Sequence, residues 1–318
     1  MGAALLWFAF RRVDLKSTIG EIKNANLFWL SLSILASLIA FVSRAIRWNL
    51  LIEPLGYKPK LDNTSAALMI GYLANLAVPR LGEVTRCGTL NQTENIPFEK
   101  LLGTVIFERI IDVISLLICM VLVAISEYSL LGDFLSQNIF IPLQEKFHSI
   151  INSPLTIGIV IALMLAAFYF IFKRKRSVAM NDKIALIIRG IRDGFVAVRK
   201  MKKPYLFIFH SVLIWFMYFL MSYLCFSALQ ATSHLSWHAG LFVLVVGGMG
   251  MSAPVQGGIG AYHLLVSNGL MLYGITYEHG IAFATLMHTS QIVVVLVFGG
   301  LAFLYLFLKK RNGKVDAS

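Results

Sequence analysis

Apolar residues fall into runs of two lengths along the chain. Long runs occupy 100–125, 156–172, 205–229 and 281–308, each near the roughly 20 residues that cross a bilayer core. A further run, 27–41, continues to Arg44, Arg47 and Trp48 and reads as a span closed by an interfacial cationic and aromatic anchor. Two runs are short. Residues 65–78 are interrupted by Pro79-Arg80-Leu81-Gly82-Glu83, and 240–251 by Pro254-Val255-Gln256-Gly257-Gly258-Ile259-Gly260 before 264–273 resumes. Residues 2–10 are apolar but too short to span, and no small-residue cleavage site follows, so they read as an N-terminally short first helix. Residues 11–26 form a polar, helix-compatible connector. Over 181–203, Ile184, Ile187, Ile188, Ile191, Phe195 and Val198 share one helical face, the pattern of an amphipathic helix lying on a leaflet.

The two interrupted runs carry most of the information. Backbone that leaves a helix at membrane depth exposes polar groups that lipid cannot satisfy, so it survives only when buried in protein or lining a wet cavity. One such break in each half of a chain points to a transporter-like binding region. The pattern therefore predicts an all-α, polytopic membrane bundle forming one domain over 1–318, with two re-entrant segments. If 65–98 dips in from one face and 240–273 from the other, the two halves are inverted copies.

Composition agrees. Of 318 residues 58% are hydrophobic and 14% charged, too little charge to coat a soluble surface. The formal net charge of +12 matters by position. Eleven of the 28 Lys and Arg lie between Lys173 and Lys203, whereas 131–152 carries only Lys146 and 229–236 carries none. The positive-inside rule then puts 173–203 and the Lys309-Lys310-Arg311 tail in the cytoplasm, at the cost of leaving the four cations of 11–26 outside. These clusters set topology and attract anionic lipid, and with no recognition module beside them they do not point to nucleic acid. Cys87, Cys119 and Cys225 have no metal-ligand spacing, and no cofactor motif such as a P-loop is present.

Three polar constellations are candidates for chemistry. In the first break, Glu83 and Arg86 are three apart and able to pair on one helical face, and Arg80 and Arg86 offer planar forks suited to phosphate. A solvated loop with an ion pair is the alternative. In the 100–125 span, Glu108 and Asp112 are four apart on one face, with Arg109 about 100° round the helix. Charges within a span pair or line a polar path, and Arg80 or Arg86 are the natural partners. The alternatives are a structural ion-pair knot or an acid–base pair. In the second break, the backbone around Gly257, Gly258 and Gly260, with Gln256, suggests an anion-holding concavity beside a helix N-terminus, followed by His263. Close packing at the glycines and a core role for His263 are the plain alternatives. His288 to Gln291 forms a polar notch on the last span.

Arg-x-x-Arg-Trp at 44–48, Pro-Arg-x-Gly-Glu-x-x-Arg at 79–86, Glu-Arg-x-x-Asp at 108–112 and Pro-x-x-Gly-Gly-x-Gly at 254–260 together resemble the lysylphosphatidylglycerol-synthase transmembrane-region, or flippase-like, family. The resemblance spans nearly the whole chain. It implies about eight membrane segments with re-entrant helices, and either lipid translocation or an accessory role beside lipid or glycan synthesis. Two departures stand out. Ala261-Tyr262-His263 follows the glycine motif where related sequences often carry an acid, and the short stretch after the last span leaves no room for a soluble aminoacyl-transferase domain.

The reading that joins these observations is a non-enzymatic carrier in the cytoplasmic membrane, with no cofactor or metal, moving an anionic or phosphate-bearing lipid between leaflets. Arg80 and Arg86 would contact phosphate, and Glu83, Glu108, Arg109 and Asp112 would orient them. Gln256, Gly257, Gly258, Gly260 and His263 would form the opposite wall. Its partners are membrane lipid and the bilayer, with a lipid-synthesis enzyme or a second copy of the chain as the protein partners such a role admits. The competing readings are an integral-membrane enzyme using Glu108 and Asp112, and a scaffold of a lipid-synthesis complex.

Overall fold

The computed structural model describes residues 2–11, 13–128 and 201–315. The predicted spans and connections within 129–200, including most of the amphipathic 181–203 helix and the basic cluster, lie outside the described residues. Residues 1–121 and 189–318 form one compact unit. Its described elements are α1 (Gly2–Phe10), α2 (Leu15–Lys23), α3 (Leu27–Ile52), α4 (Leu61–Ala77), α5 (Leu81–Glu94), α6 (Phe98–Ser126), α7 (Pro204–Phe226), α8 (Trp237–Ser252), α9 (Ala261–Met271) and α10 (Tyr277–Val315), with no strand among them. This is an all-α polytopic membrane protein. Four of these helices are long and apolar enough to span: α3, α6, α7 and α10.

Local chemistry sets the boundaries. The side chains of Asp14 and Asn26 accept from backbone amides two residues on, starting α2 inside the predicted connector and α3 just after it. At the first break Val78, which precedes Pro79, is extended as proline demands, and α4 ends there. The left-handed turn falls on Arg80 (φ 64°) and not on Gly82. Gly82 is the second residue of α5, and its amide donates to Asn75 Oδ1 at 2.6 Å, so a side chain of α4 caps the helix that follows. Gly82 is needed for another reason: Gly71 O and the Asn75 side chain stand where its Cβ would be. The α4–α5 pair is therefore a hairpin closed at its tip by small residues.

At the second break, α8 ends at Ser252, a single 3-10 turn spans Gln256–Gly258, and α9 starts after Gly260. Gly257, Gly258 and Gly260 all have positive φ. Gly260 has a second constraint, because the Leu6 amide of α1 lies 2.6 Å from where its Cβ would sit.

The halves repeat in order: span, hairpin, span as α3, α4–α5, α6, and again as α7, α8–α9, α10. Their directions are opposed. Helices α3 and α7 pack antiparallel, with Ser33 bonded to Met221 O and Ser43 to His210. The long α10 supplies a ruler. Near its start Gly280 packs on Ser267 of α9, and His288 reaches the second tip at Gly257. Further on, Gly299 packs on Met69 and Leu73 of α4, and Lys309 bonds Asn63 at the α4 start. The hairpins thus open toward opposite ends of α10, which at 1.5 Å per residue is about 58 Å long. Their tips touch in between, where Leu76 Cδ2 lies 3.0 Å from the position of a Gly257 Cβ. Inverted repeats of this kind place their breaks near the bilayer midplane.

Candidate functional site

The first hairpin delivers Arg86 to a buried cluster that α3 and α6 complete. Glu108 is 0% exposed, and its Oε1 accepts from Arg44 Nη2 at 2.7 Å, Arg109 Nη2 at 3.0 Å and Arg86 Nη1 at 3.2 Å. Arg47, also 0% exposed, bonds Asp112 Oδ1 at 2.8 Å and stands 3.5 Å from Glu108. Arg109 reaches both carboxylates. Two aromatic faces share the charge: Arg86 lies 4.8 Å from the Trp48 ring and Arg44 lies 5.5 Å from the Tyr72 ring. Trp48 is fixed in turn by donating to Thr104 Oγ1 at 2.8 Å. The Tyr218 hydroxyl on α7 accepts from Arg44 Nη1.

This corrects the reading of the 27–52 span. Arg44, Arg47 and Trp48 do not anchor it at the interface; all three are buried, and α3 runs on to Ile52. Arg44 and Arg47 are about one helical turn apart, as are Glu108 and Asp112, so a row of two cations on α3 meets a row of two carboxylates on α6. That matched spacing was the signal in the sequence. The expected partnership of Arg80 with the carboxylates does not form. Arg80 sits on the turn just before α5, with a left-handed backbone, and that turn leaves it exposed and without an ion pair among the described residues. Glu83 does not pair with Arg86 either; Arg86 turns inward to Glu108, leaving Glu83 half-buried on the rim.

Next to the cluster is a small, half-open pocket walled by Arg44, Gly71, Tyr72, Asn75, Glu83, Arg86 and Arg109 among others. Four guanidiniums against two carboxylates, Glu108 buried and Asp112 half-buried, leave a positive surplus, which Glu83 on the rim only partly offsets. Several donors are left over. Arg86 Nη2, Arg44 Nε, Arg109 Nε and the Tyr72 hydroxyl are buried with no partner among the described residues. Buried polar groups are almost always satisfied, so donors gathered at one pocket call for an acceptor.

The second break is built differently, and none of its residues lines this pocket. Gln256 is exposed at the tip. The amides of Gly258 and Ile259 close turns onto the Val255 and Gln256 carbonyls instead of pointing outward as an anion nest. Gly258 is buried beneath Met251 and Gly260 against α1, which is the close-packing role. His263 is buried against Phe10, Tyr262 and His288. Of the eleven residues singled out in the sequence, the structure gathers Glu83, Arg86, Glu108, Arg109 and Asp112 around one cluster and its rim. Arg80 and the residues of 256–263 lie elsewhere. All three described cysteines are free and buried, and no group of three or more His, Cys, Asp or Glu among the described residues is arranged to hold a metal ion.

Among proteins of known sequence, a UPF0104 membrane protein of Methanocaldococcus jannaschii is 27% identical over 103 residues, 31% of either chain. The similarity thus spans about a third of that relative's length. No solved structure matches the chain. The model of the lysylphosphatidylglycerol synthase TM region family matches residues 1–299. With its helical bundle and paired hairpins, this chain belongs to the lysylphosphatidylglycerol synthase TM region family.

Proposed function

We propose that this protein is a flippase-like carrier of the cytoplasmic membrane that moves an anionic, phosphate-bearing lipid headgroup between leaflets, with its C-terminus on the cytoplasmic side. The observation that carries the reading is the pocket itself: Arg44, Arg86, Arg109 and Tyr72, each with a buried polar atom left unpartnered among the described residues, all line one small pocket with surplus positive charge. Guanidinium forks suit phosphate oxygens, and a low-dielectric site strengthens each such bond. Glu108 keeps the forks aimed when the pocket is empty. Glu83 on the rim meets a cationic moiety on the headgroup where one exists. The acyl tails stay in lipid outside the pocket.

The enzymatic reading finds less support. Glu108 and Asp112 are both occupied by guanidiniums, so neither is available as a general base without breaking the cluster. Reconstitution tests the carrier directly. In vesicles of phosphatidylcholine containing fluorescent phosphatidylglycerol, the protein should expose inner-leaflet label to an impermeant reductant. Arg86→Lys should slow this, since a point charge does not replace a fork. Intact movement in Arg86→Ala, or chemical conversion of the lipid in place of movement, would overturn the proposal. Native mass spectrometry of the purified protein should find an anionic lipid bound, and its loss in the Arg86 variants would locate it.

A further inference from the structure

The junction between the second tip and α10 uses none of the charged residues above. His263 on α9 and His288 on α10 are 4% and 5% exposed, with ring centroids 5.1 Å apart and planes near perpendicular. Tyr262 stacks on His288 at 5.0 Å. His288 Nε2 lies 2.8 Å from Gly257 O. A carbonyl only accepts, so Nε2 carries the hydrogen and Nδ1 of the neutral ring presents a lone pair. That Nδ1 is buried without a partner, as is Nδ1 of His263. The groups packed around the pair are uncharged: Phe10 from α1, Tyr262 from α9 with Cys225 of α7 behind it, and Leu76 of α4 through Gly257. Among the described residues no Asp, Glu, Lys or Arg acts on either imidazole.

We infer that His263 and His288 form a site for a single proton, and that occupying it releases the tip of the second hairpin. A hydronium ion gives its proton to the His288 Nδ1 lone pair, so that one O–H bond breaks to leave water and one N–H bond forms to give an imidazolium, and the Nε2–H bond to Gly257 becomes charge-assisted. With His263 so close, the first positive charge disfavours a second. The imidazolium has no counter-ion, and burying an unpaired charge is costly. The protonated state therefore favours an arrangement that admits water around the tip. Because Gly257 is bonded to His288 and touches Leu76, that change shifts the second tip against the first, beside the arginine pocket. Coupling of the proton to headgroup movement rests on the proposed function, and would be reciprocal; the proton site itself does not depend on it.

The test uses the full chain in nanodiscs of phosphatidylcholine alone, so that no anionic headgroup takes part. Spin labels at Val78→Cys and Met251→Cys, exposed positions beside the two tips, report their separation, while the native cysteines are buried. Between about pH 8 and about pH 4, extended below the ordinary histidine range because no counter-ion among the described residues meets the buried charge, a second population at longer distance should appear. It should be absent in His288→Gln, which keeps a donor for Gly257 O but cannot take a proton, and whose native distribution at the upper pH would verify its fold. Identical distributions at both pH values, or a pH response that persists in the double variant His263→Gln/His288→Gln, would overturn the inference. Carbon-13 histidine spectra of the unsubstituted protein give a second reading, in which the pair should take up one shared proton. Two independent full titrations, or none, would equally overturn it. Loss of the pH response with phosphatidylglycerol capture intact sinks the proton site alone; the reverse outcome sinks the carrier alone.

Discussion

The two hairpins occupy equivalent places in the inverted repeat and meet the same physical problem with opposite chemistry. Each interrupts a helix at depth, and each is fastened by the helix that follows it. The first is fastened through charge: Arg86 of α5 is held by Glu108 of α6, with Arg44 and Arg47 of α3 closing the ring. The second is fastened through neutral groups: His288 of α10 holds the Gly257 carbonyl, and Tyr262 and His263 pack on it. A buried ion cluster must be nearly complete to be tolerated, since removing one partner strands the rest. A neutral cluster tolerates change and can alter its charge state. The charged junction is thus suited to a fixed binding surface, and the neutral one to movement.

The largest effect that separates them is the loss of a carboxylate. Glu108→Gln leaves four guanidiniums with only Asp112, and should destabilise the protein by about 3–5 kcal/mol, as a buried pair broken on one side does. His288→Gln, which keeps its hydrogen bond, should cost about 1 kcal/mol or less at neutral pH. Thermal melting in detergent checks both, and equal costs would erase the distinction drawn between the junctions.

Glycine substitutions rank next. Gly260→Ala combines a backbone clash with α1 and a left-handed φ of 83°, and should cost about 2–4 kcal/mol. Gly82→Ala has a helical backbone but collides with Gly71 O, and should cost about 1–3 kcal/mol. A tolerated Gly260→Ala would mean that α1 does not hold the second tip. Retention of folded protein after size-exclusion at rising temperature measures both.

For Arg86→Lys the expected change is in binding more than in folding. Losing the bidentate fork should weaken anionic-lipid capture by about 1–3 kcal/mol, the value of a charge-assisted hydrogen bond. Melting should shift less than for Glu108→Gln, because a positive charge still faces the carboxylate. Native mass spectrometry against phosphatidylglycerol resolves the two effects.

The smallest effect has the opposite sign. Arg80 holds a left-handed backbone without an ion pair among the described residues, so Arg80→Gly should stabilise the first tip by about 1 kcal/mol and leave lipid capture unchanged. Loss of capture in that variant would return Arg80 to the site and undo the separation between tip and pocket.

Much of this was legible in the sequence. The lengths of the apolar runs, the Pro/Gly interruptions and the i,i+4 carboxylates follow from local rules, and those within the described residues fell on the elements expected of them, with boundaries shifted by capping residues such as Asn26 and Asn75. Recognition of the family followed from motifs that are contiguous in the chain. Which faces meet was a different matter. Within lipid an apolar side chain is as content outside the bundle as inside it, so the hydrophobic pattern that orients a soluble helix carries little orientation here. Arg44 and Arg47 therefore read as interfacial anchors until α3 was packed beside α6. Arg80 and Arg86 read as equals until the turn at Arg80 sent one outward and the other onto Glu108. The glycines of the second break read as an anion nest until α1 and Met251 filled the space that they vacate. The sequence by itself determined where the helices break and which charges lie at depth; only the tertiary structure decided which charges pair and which donors remain free, because pairing depends on interhelical rotation that no local pattern encodes.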